Sequence, residues 1–127
     1  MKKIILIDDN RDILAMWKMF LDKLGYEVIP MTSCDEFKQR VDSMGLLDIS
    51  CVVSDESLDD GLGTGLFEYL QEKSLYVPFI IVSGYSQDEI LGKVATPDKL
   101  KVLKKPISLS RLKEVIESSI GPDSLSY

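Results

Sequence analysis

Lys3-Ile4-Ile5-Leu6-Ile7-Asp8-Asp9-Asn10 is the stretch that decides the fold. A short apolar run that ends abruptly in two carboxylates reads as a strand buried on both faces, delivering acidic side chains to a sheet edge. Immediately beyond it the period changes. Ile13, Leu14, Trp17, Leu21 and Leu24 recur at helical spacing, and Gly25 supplies a stop. A buried strand passing directly into an amphipathic helix is the first half of a strand–helix–strand unit, the connection that parallel sheets require.

The rest of the chain repeats that alternation. Residues 26–30 read as a second strand, on an edge because Pro30 removes a donor. Ser33-x-x-Glu36 forms a capping box ahead of Phe37, Val41 and Met44 on one helical face. Residues 49–54 give a third strand, and 66–70 belong to a short helix after a Gly-rich turn. Residues 78–83 give a fourth strand, followed by a second capping box, Ser86-x-x-Glu89, opening a helix that Gly92 weakens. Residues 100–103 give a fifth strand. Ser108 caps a last helix carrying Leu109, Leu112, Val115, Ile116 and Ile120, stopped by Gly121-Pro122. The predicted fold is α/β: a doubly wound, five-stranded parallel sheet of order 2-1-3-4-5, one domain over residues 1–121 with a polar tail, 122–127, that frays.

Composition narrows the function. The 127 residues carry 15 Lys+Arg against 21 Asp+Glu, a net charge of -6, and no histidine. An acidic balance argues against direct nucleic-acid binding, which needs a basic face. The absence of histidine removes His-based triads and His metal ligands. Cys34 and Cys51 lack CxxC spacing, so neither a zinc site nor a disulfide framework is indicated. The apolar run at the N-terminus is too short for a signal peptide or a membrane span, and the expectation is a cytoplasmic protein.

In such sheets, ligands bind beyond the carboxyl ends of the strands, where strand order reverses. The residues at those ends are Asp8 and Asp9 after strand one, Asp55 after strand three, Ser83 after strand four and Lys105 after strand five. Three carboxylates around one crevice repel unless one takes a proton or a cation joins them. Mg²⁺, which favours oxygen ligands, suits them. A hydroxyl and an ammonium beside that cation suit phosphoryl transfer, with Asp55 as nucleophile, Asp8 and Asp9 holding the metal, and Lys105 and Ser83 meeting the phosphoryl oxygens.

This constellation resembles the receiver domain of two-component response regulators. The resemblance runs through Asp8-Asp9, Val52-Val53-Ser54-Asp55, Ile80-Ile81-Val82-Ser83-Gly84 and Lys104-Lys105-Pro106-Ile107. It implies the flavodoxin-like (αβ)5 fold and phosphorylation of Asp55 by a histidine kinase or histidine phosphotransfer protein, with Mg²⁺ required. It further implies a cis Lys105-Pro106 peptide and a metal ligand in the Ser57 carbonyl. In that family the first helix resembles the docking site for the phosphotransfer module, and the surface near helix four and strand five contacts an output partner. With no effector following residue 121, output is expected from another protein, unless the chain is a piece of a longer response regulator or hybrid histidine kinase; a homodimer stays open.

The chain also departs from the family pattern. Leu58-Asp59 stand where Met-Pro is usual, and Val102 occupies the position of the aromatic switch residue. Gly65 looks like the glycine opening helix three, with residues 61–64 lengthening the loop. Tyr85 is a candidate shield for the crevice. Glu56, Asp59 and Asp60 are expected to be solvated, and Met16, Met19 and Phe20 to be partly exposed beside a buried Trp17. Simpler readings exist for each site residue: Asp8-Asp9 as a helix cap, Ser83 as a turn residue, Lys105 as a surface lysine. Two other functions compete. One is a small Mg²⁺-dependent phosphatase with an aspartyl nucleophile, which would want an acid where Ser57 stands. The other is a degenerate receiver that only binds.

Overall fold

Ile4, Ile5, Leu6 and Ile7 have no exposed surface, because successive side chains of the first strand point into two separate cores. The computed structural model describes residues 1–121; the tail predicted to fray, 122–127, lies outside the described residues. Five parallel strands form the sheet: β1 (Lys3–Ile7), β2 (Glu27–Met31), β3 (Ile49–Asp55), β4 (Phe79–Ser83) and β5 (Leu100–Lys104), in the order β2-β1-β3-β4-β5. That is the predicted order, with no strand end displaced by more than one residue.

Helices α1 (Arg11–Lys23) and α5 (Leu109–Ile120) cover one face. There Leu14, Trp17, Leu21, Leu112, Val115 and Ile116 pack on Ile4, Leu6, Cys51, Val53, Ile80 and Val82. Helices α2 (Cys34–Met44), α3 (Gly63–Glu72) and α4 (Gln87–Leu91) cover the other, where Phe37, Leu66, Phe67 and Ile90 meet Ile5, Ile7, Val52, Phe79 and Ile81. Each such side chain contributes about 1.5–3 kcal/mol by leaving water. Only one residue of α4, Ile90, is buried, so that helix is the most lightly held of the five.

The capping rules were met unevenly. Ser86 and Glu89 form the complete reciprocal box. At α2, Ser33 accepts from the Glu36 N–H, but the Glu36 carboxylate turns to the N–H and hydroxyl of Thr32 instead of completing the box. The missing support comes from Asp60, whose carboxylate accepts the Cys34 and Asp35 N–H groups at 2.8 and 3.0 Å. Met44, expected on the buried face of α2, is 67% exposed, because the helix ends there and the chain turns away at Gly45.

The expected lengthened loop before α3 is absent. Ser57–Leu58 and Gly61–Leu62 form a small antiparallel hairpin, and α3 begins at Gly63 rather than Gly65. Gly63 is the position that must lack a side chain: a Cβ there would lie 2.5 Å from the Asp55 carbonyl oxygen and 2.7 Å from Ile81 Cδ1, whereas Gly65 faces open space. Among the described residues no helix is long and apolar enough to cross a membrane.

Candidate functional site

Strand register sets the site before any side chain does. Ile7 is paired with Ser54, Asp55 with Val82, and Ser83 with Lys104. Asp8 and Asp55 therefore leave neighbouring strands at the same level, with Ser83 one residue and Lys105 two residues further along the same rim. The structure gathers Asp8, Asp9 and Asp55, with one ligand oxygen from each lying within 4.8 Å of the others. Lys105 Nζ lies 3.1 Å from Asp55 Oδ1. The Lys105 N–H donates to the Ser83 carbonyl at 2.7 Å, and the Lys105-Pro106 peptide is cis as the resemblance implied. Lys104 is exposed, whereas Lys105, directly before the proline, is the lysine that reaches Asp55.

The cap reading of Asp8-Asp9 fails. Asn10 is the cap of α1, accepting the Asp12 and Ile13 N–H groups. Asp8 uses only Oδ1, which accepts the Asn10 N–H at 2.9 Å, and its buried Oδ2 has no partner. Burial pushes the Asp8 carboxyl above the ordinary aspartate range, and the Asp55 and Asp9 carboxylates push the same way. The Asn10 N–H and the Lys105 ammonium pull it down. Two unit charges 4 Å apart repel by about 4 kcal/mol at a protein-surface dielectric, so three carboxylates exceed what one ammonium can offset. A donor set made only of carboxylate oxygens, one of them buried and unpartnered, fits a hard divalent cation.

A stability measurement follows from this. Asp8 has a raised folded-state value, so its charge adds no penalty while it is protonated and destabilises as pH climbs above the unfolded value. At neutral pH, Asp8→Asn should therefore raise the melting temperature of the metal-free protein. The parent should gain about 2.7 kcal/mol at a Mg²⁺ concentration near 100 times Kd, and Asp8→Asn should lose most of that gain. Calorimetry with and without Mg²⁺ checks both, and equal shifts in the two proteins would count against the cluster.

Ser83 is 2% exposed, and its Oγ accepts the Tyr85 N–H at 3.0 Å. Its hydroxyl proton is therefore not committed to that turn, and the turn reading and the site reading coexist. Ser57 opens the small hairpin two residues beyond Asp55, paired with Leu62. Tyr85, the candidate shield, is 53% exposed, with the Lys93 ammonium 5.6 Å from its ring centre. Val102 is buried in the core between the sheet and α2–α4. Trp17 is buried, while Met16 and Met19 are 50% and 60% exposed, as expected.

Of the three acidic residues expected in solvent, Asp59 and Asp60 are exposed, and the Asp9 carboxylate holds Asp59 above its usual range. Glu56 is a correction. It is 1% exposed, and its carboxylate accepts the Thr64 N–H at 2.8 Å, the Thr64 hydroxyl at 2.9 Å and Lys93 Nζ at 3.0 Å. A buried carboxylate is tolerated when its lone pairs are filled this way. It does double service by capping α3, for which Leu62 offers no side-chain cap.

The family model described as response regulator receiver domain matches residues 4–117. The response regulator protein PilR of Pseudomonas aeruginosa is 21% identical over 119 residues, covering 94% of this chain and 26% of that protein. The transcriptional regulatory protein FixJ of Bradyrhizobium diazoefficiens is 26% identical over 117 residues, covering 92% of this chain and 56% of that one. This chain thus spans between a quarter and rather more than half of these relatives. A crystal structure of a receiver domain protein from Clostridium thermocellum superposes with a TM-score of 0.85 over 100% of both chains, at 23% identity.

Proposed function

Because the chain belongs to the response regulator receiver domain family, we propose that it accepts a phosphoryl group on Asp55 from a phosphohistidine and uses the product as a signalling switch. One observation carries the reading: Asp55, at the end of β3, has the buried Asp8 and the half-buried Asp9 carboxylates within 4.8 Å and the Lys105 ammonium at 3.1 Å. A carboxylate oxygen of Asp55 attacks phosphorus in line. The P–N bond breaks, its electron pair stays on the imidazole nitrogen, and an acyl phosphate forms. Asp8, Asp9, Asp55 and the Ser57 carbonyl are the residues that would hold Mg²⁺. When bound, the ion supplies positive charge to the phosphoryl oxygens and the carboxylates alike. Lys105 meets one phosphoryl oxygen as a point charge, and Ser83 turns its hydroxyl proton to another.

The chemistry ends there: self-phosphorylation from a donor and self-dephosphorylation, with no other substrate. The donor is a histidine kinase or a phosphotransfer protein, and the output is altered binding of a partner. A phosphatase with an aspartyl nucleophile would need a proton donor where Ser57 stands, and an unactivated hydroxyl serves poorly as a general acid at neutral pH.

Incubation with Mg²⁺ and a small acyl phosphate, read by intact-mass spectrometry, tests the proposal. One phosphoryl adduct per chain, absent in Asp55→Asn, is the expected result. Sustained turnover of a phosphomonoester would favour the phosphatase, and the lack of any adduct would leave a binding module.

A further inference from the structure

Asp59 has no part in the chemistry above. It sits at the tip of the small hairpin, where Ser57 pairs with Leu62 and Leu58 with Gly61, so that Asp59 and Asp60 form a two-residue turn. That turn is fixed from several sides. Leu58 is buried in the core beneath α2 and α3. The Asp60 carboxylate accepts the Cys34 and Asp35 N–H groups at 2.8 and 3.0 Å. Gly61 is packed on Cys34, whose Sγ would stand 3.1 Å from an added Cβ. A carboxylate on a free loop would swing away from a like charge into water. This one is held against Asp9: the two carboxyls are hydrogen-bonded to one another, and the Asp9 charge is the largest influence on Asp59.

We propose that Asp59 is a fourth carboxylate of the cation site, adding its charge from beside Asp9 to the set formed by Asp8, Asp9 and Asp55. This rests on the phosphoacceptor reading given above and names a residue that sets how strongly the site holds its divalent ion. An independent observation marks the cluster as short of positive charge: Asp8 is 1% exposed, and its Oδ2 has no hydrogen-bond partner. Lys105 meets the cluster at Asp55 Oδ1, so four carboxylates are set against that one ammonium. A divalent cation removes the imbalance, and each further carboxylate beside it deepens the attraction. Ser57 opens the same hairpin, so one anchored segment carries both a proposed carbonyl ligand and the added charge. Because the turn is pinned through Asp60 and Leu58, placing Asp59 there requires no ordering of a loose loop when the ion binds.

The test is calorimetric titration of the metal-free protein with MgCl₂ at about 0.15 M ionic strength, with loading of the parent by a small acyl phosphate read separately by intact mass. Asp59→Asn, which keeps the shape and loses the charge, should bind Mg²⁺ about tenfold more weakly, the lower end of the usual scale for groups surrounding metal ligands. Asp59→Glu, which keeps the charge, should recover most of the affinity. Asp59→Ala should weaken binding as Asp59→Asn does, and it carries the comparison should the asparagine amide donate to Asp9. Asp12→Asn removes the same charge from the first turn of α1 and should change the affinity far less, because salt screens an exposed charge outside the contact. Unchanged affinity in both Asp59→Asn and Asp59→Ala, or an equal loss in Asp12→Asn, would overturn the assignment and leave the phosphoacceptor reading intact. A parent that binds Mg²⁺ but never takes a phosphoryl group would overturn the phosphoacceptor reading alone. A parent that neither binds Mg²⁺ nor loads would overturn both.

Discussion

Lys105→Met should accept phosphoryl groups about a hundredfold more slowly than the parent, the usual scale for removing one donor aimed at developing charge, while binding Mg²⁺ more tightly. The two effects have opposite signs for one reason. The ammonium stands 3.1 Å from Asp55 Oδ1, where it competes with a cation for the carboxylates but assists an incoming phosphoryl group. Removing it leaves three carboxylates, with oxygens within 4.8 Å of one another, facing an ion with no rival positive charge. It also leaves one phosphoryl oxygen unpaired in the transition state. Methionine keeps the length and apolar character of the lysine stem, so the loss is electrostatic rather than steric. Adduct formation at saturating Mg²⁺, together with a Mg²⁺ melting titration, measures both. Both quantities moving in the same direction would contradict the arrangement, and Lys104→Met should move neither.

Phe79→Ala should be the most costly single core truncation, destabilising by about 3–5 kcal/mol out of a total that rarely exceeds about 15. The ring is 1% exposed and stands at the start of β4, where it meets Phe37 of α2 edge-on at 6.4 Å and Phe67 of α3 at 5.7 Å. Its removal therefore opens a cavity and breaks two aromatic contacts, each worth about 0.5–1.5 kcal/mol beyond buried area. Urea denaturation should show a lower midpoint at an unchanged slope. A cost under about 1 kcal/mol would mean that α2 and α3 close over the gap, against the usual stiffness of packed interiors.

The sheet and the rim could be read in the sequence because both are local signals. An apolar run ending in a charge is visible within a few residues, and Asp8, Asp55, Ser83 and Lys105 each follow such a run. What escaped depends on contacts across the chain. Glu56 belongs to a cluster with Asp59 and Asp60 and looked equally solvated. Its partners, Thr64 and Lys93, are 8 and 37 residues away, and no period or cap rule links them. A carboxylate directly after a buried strand, with a Thr at a coming helix start, is the signal that could have exposed it. Gly63 and Gly65 look alike in sequence, and only the close approach of Asp55, Ile81 and Ser54 to Gly63 distinguishes them. Asp60 caps α2 from 25 and 26 residues away, which explains why Glu36 was free to leave its predicted partner.

The proline in β2 has a consequence for crowded solutions. Glu27 turns its N–H inward to the Lys2 carbonyl, so alternation sends the amide positions of Val28 and Pro30 outward, and Pro30 has no hydrogen to offer there. A foreign strand laid along that flank would lose a rung of its ladder. At the opposite flank, β5 carries the exposed Lys101 and Lys104, a charge barrier to the same accretion. Edge-on stacking is thus opposed at each side by a different residue chemistry, although among the described residues neither outer strand is paired with a further one.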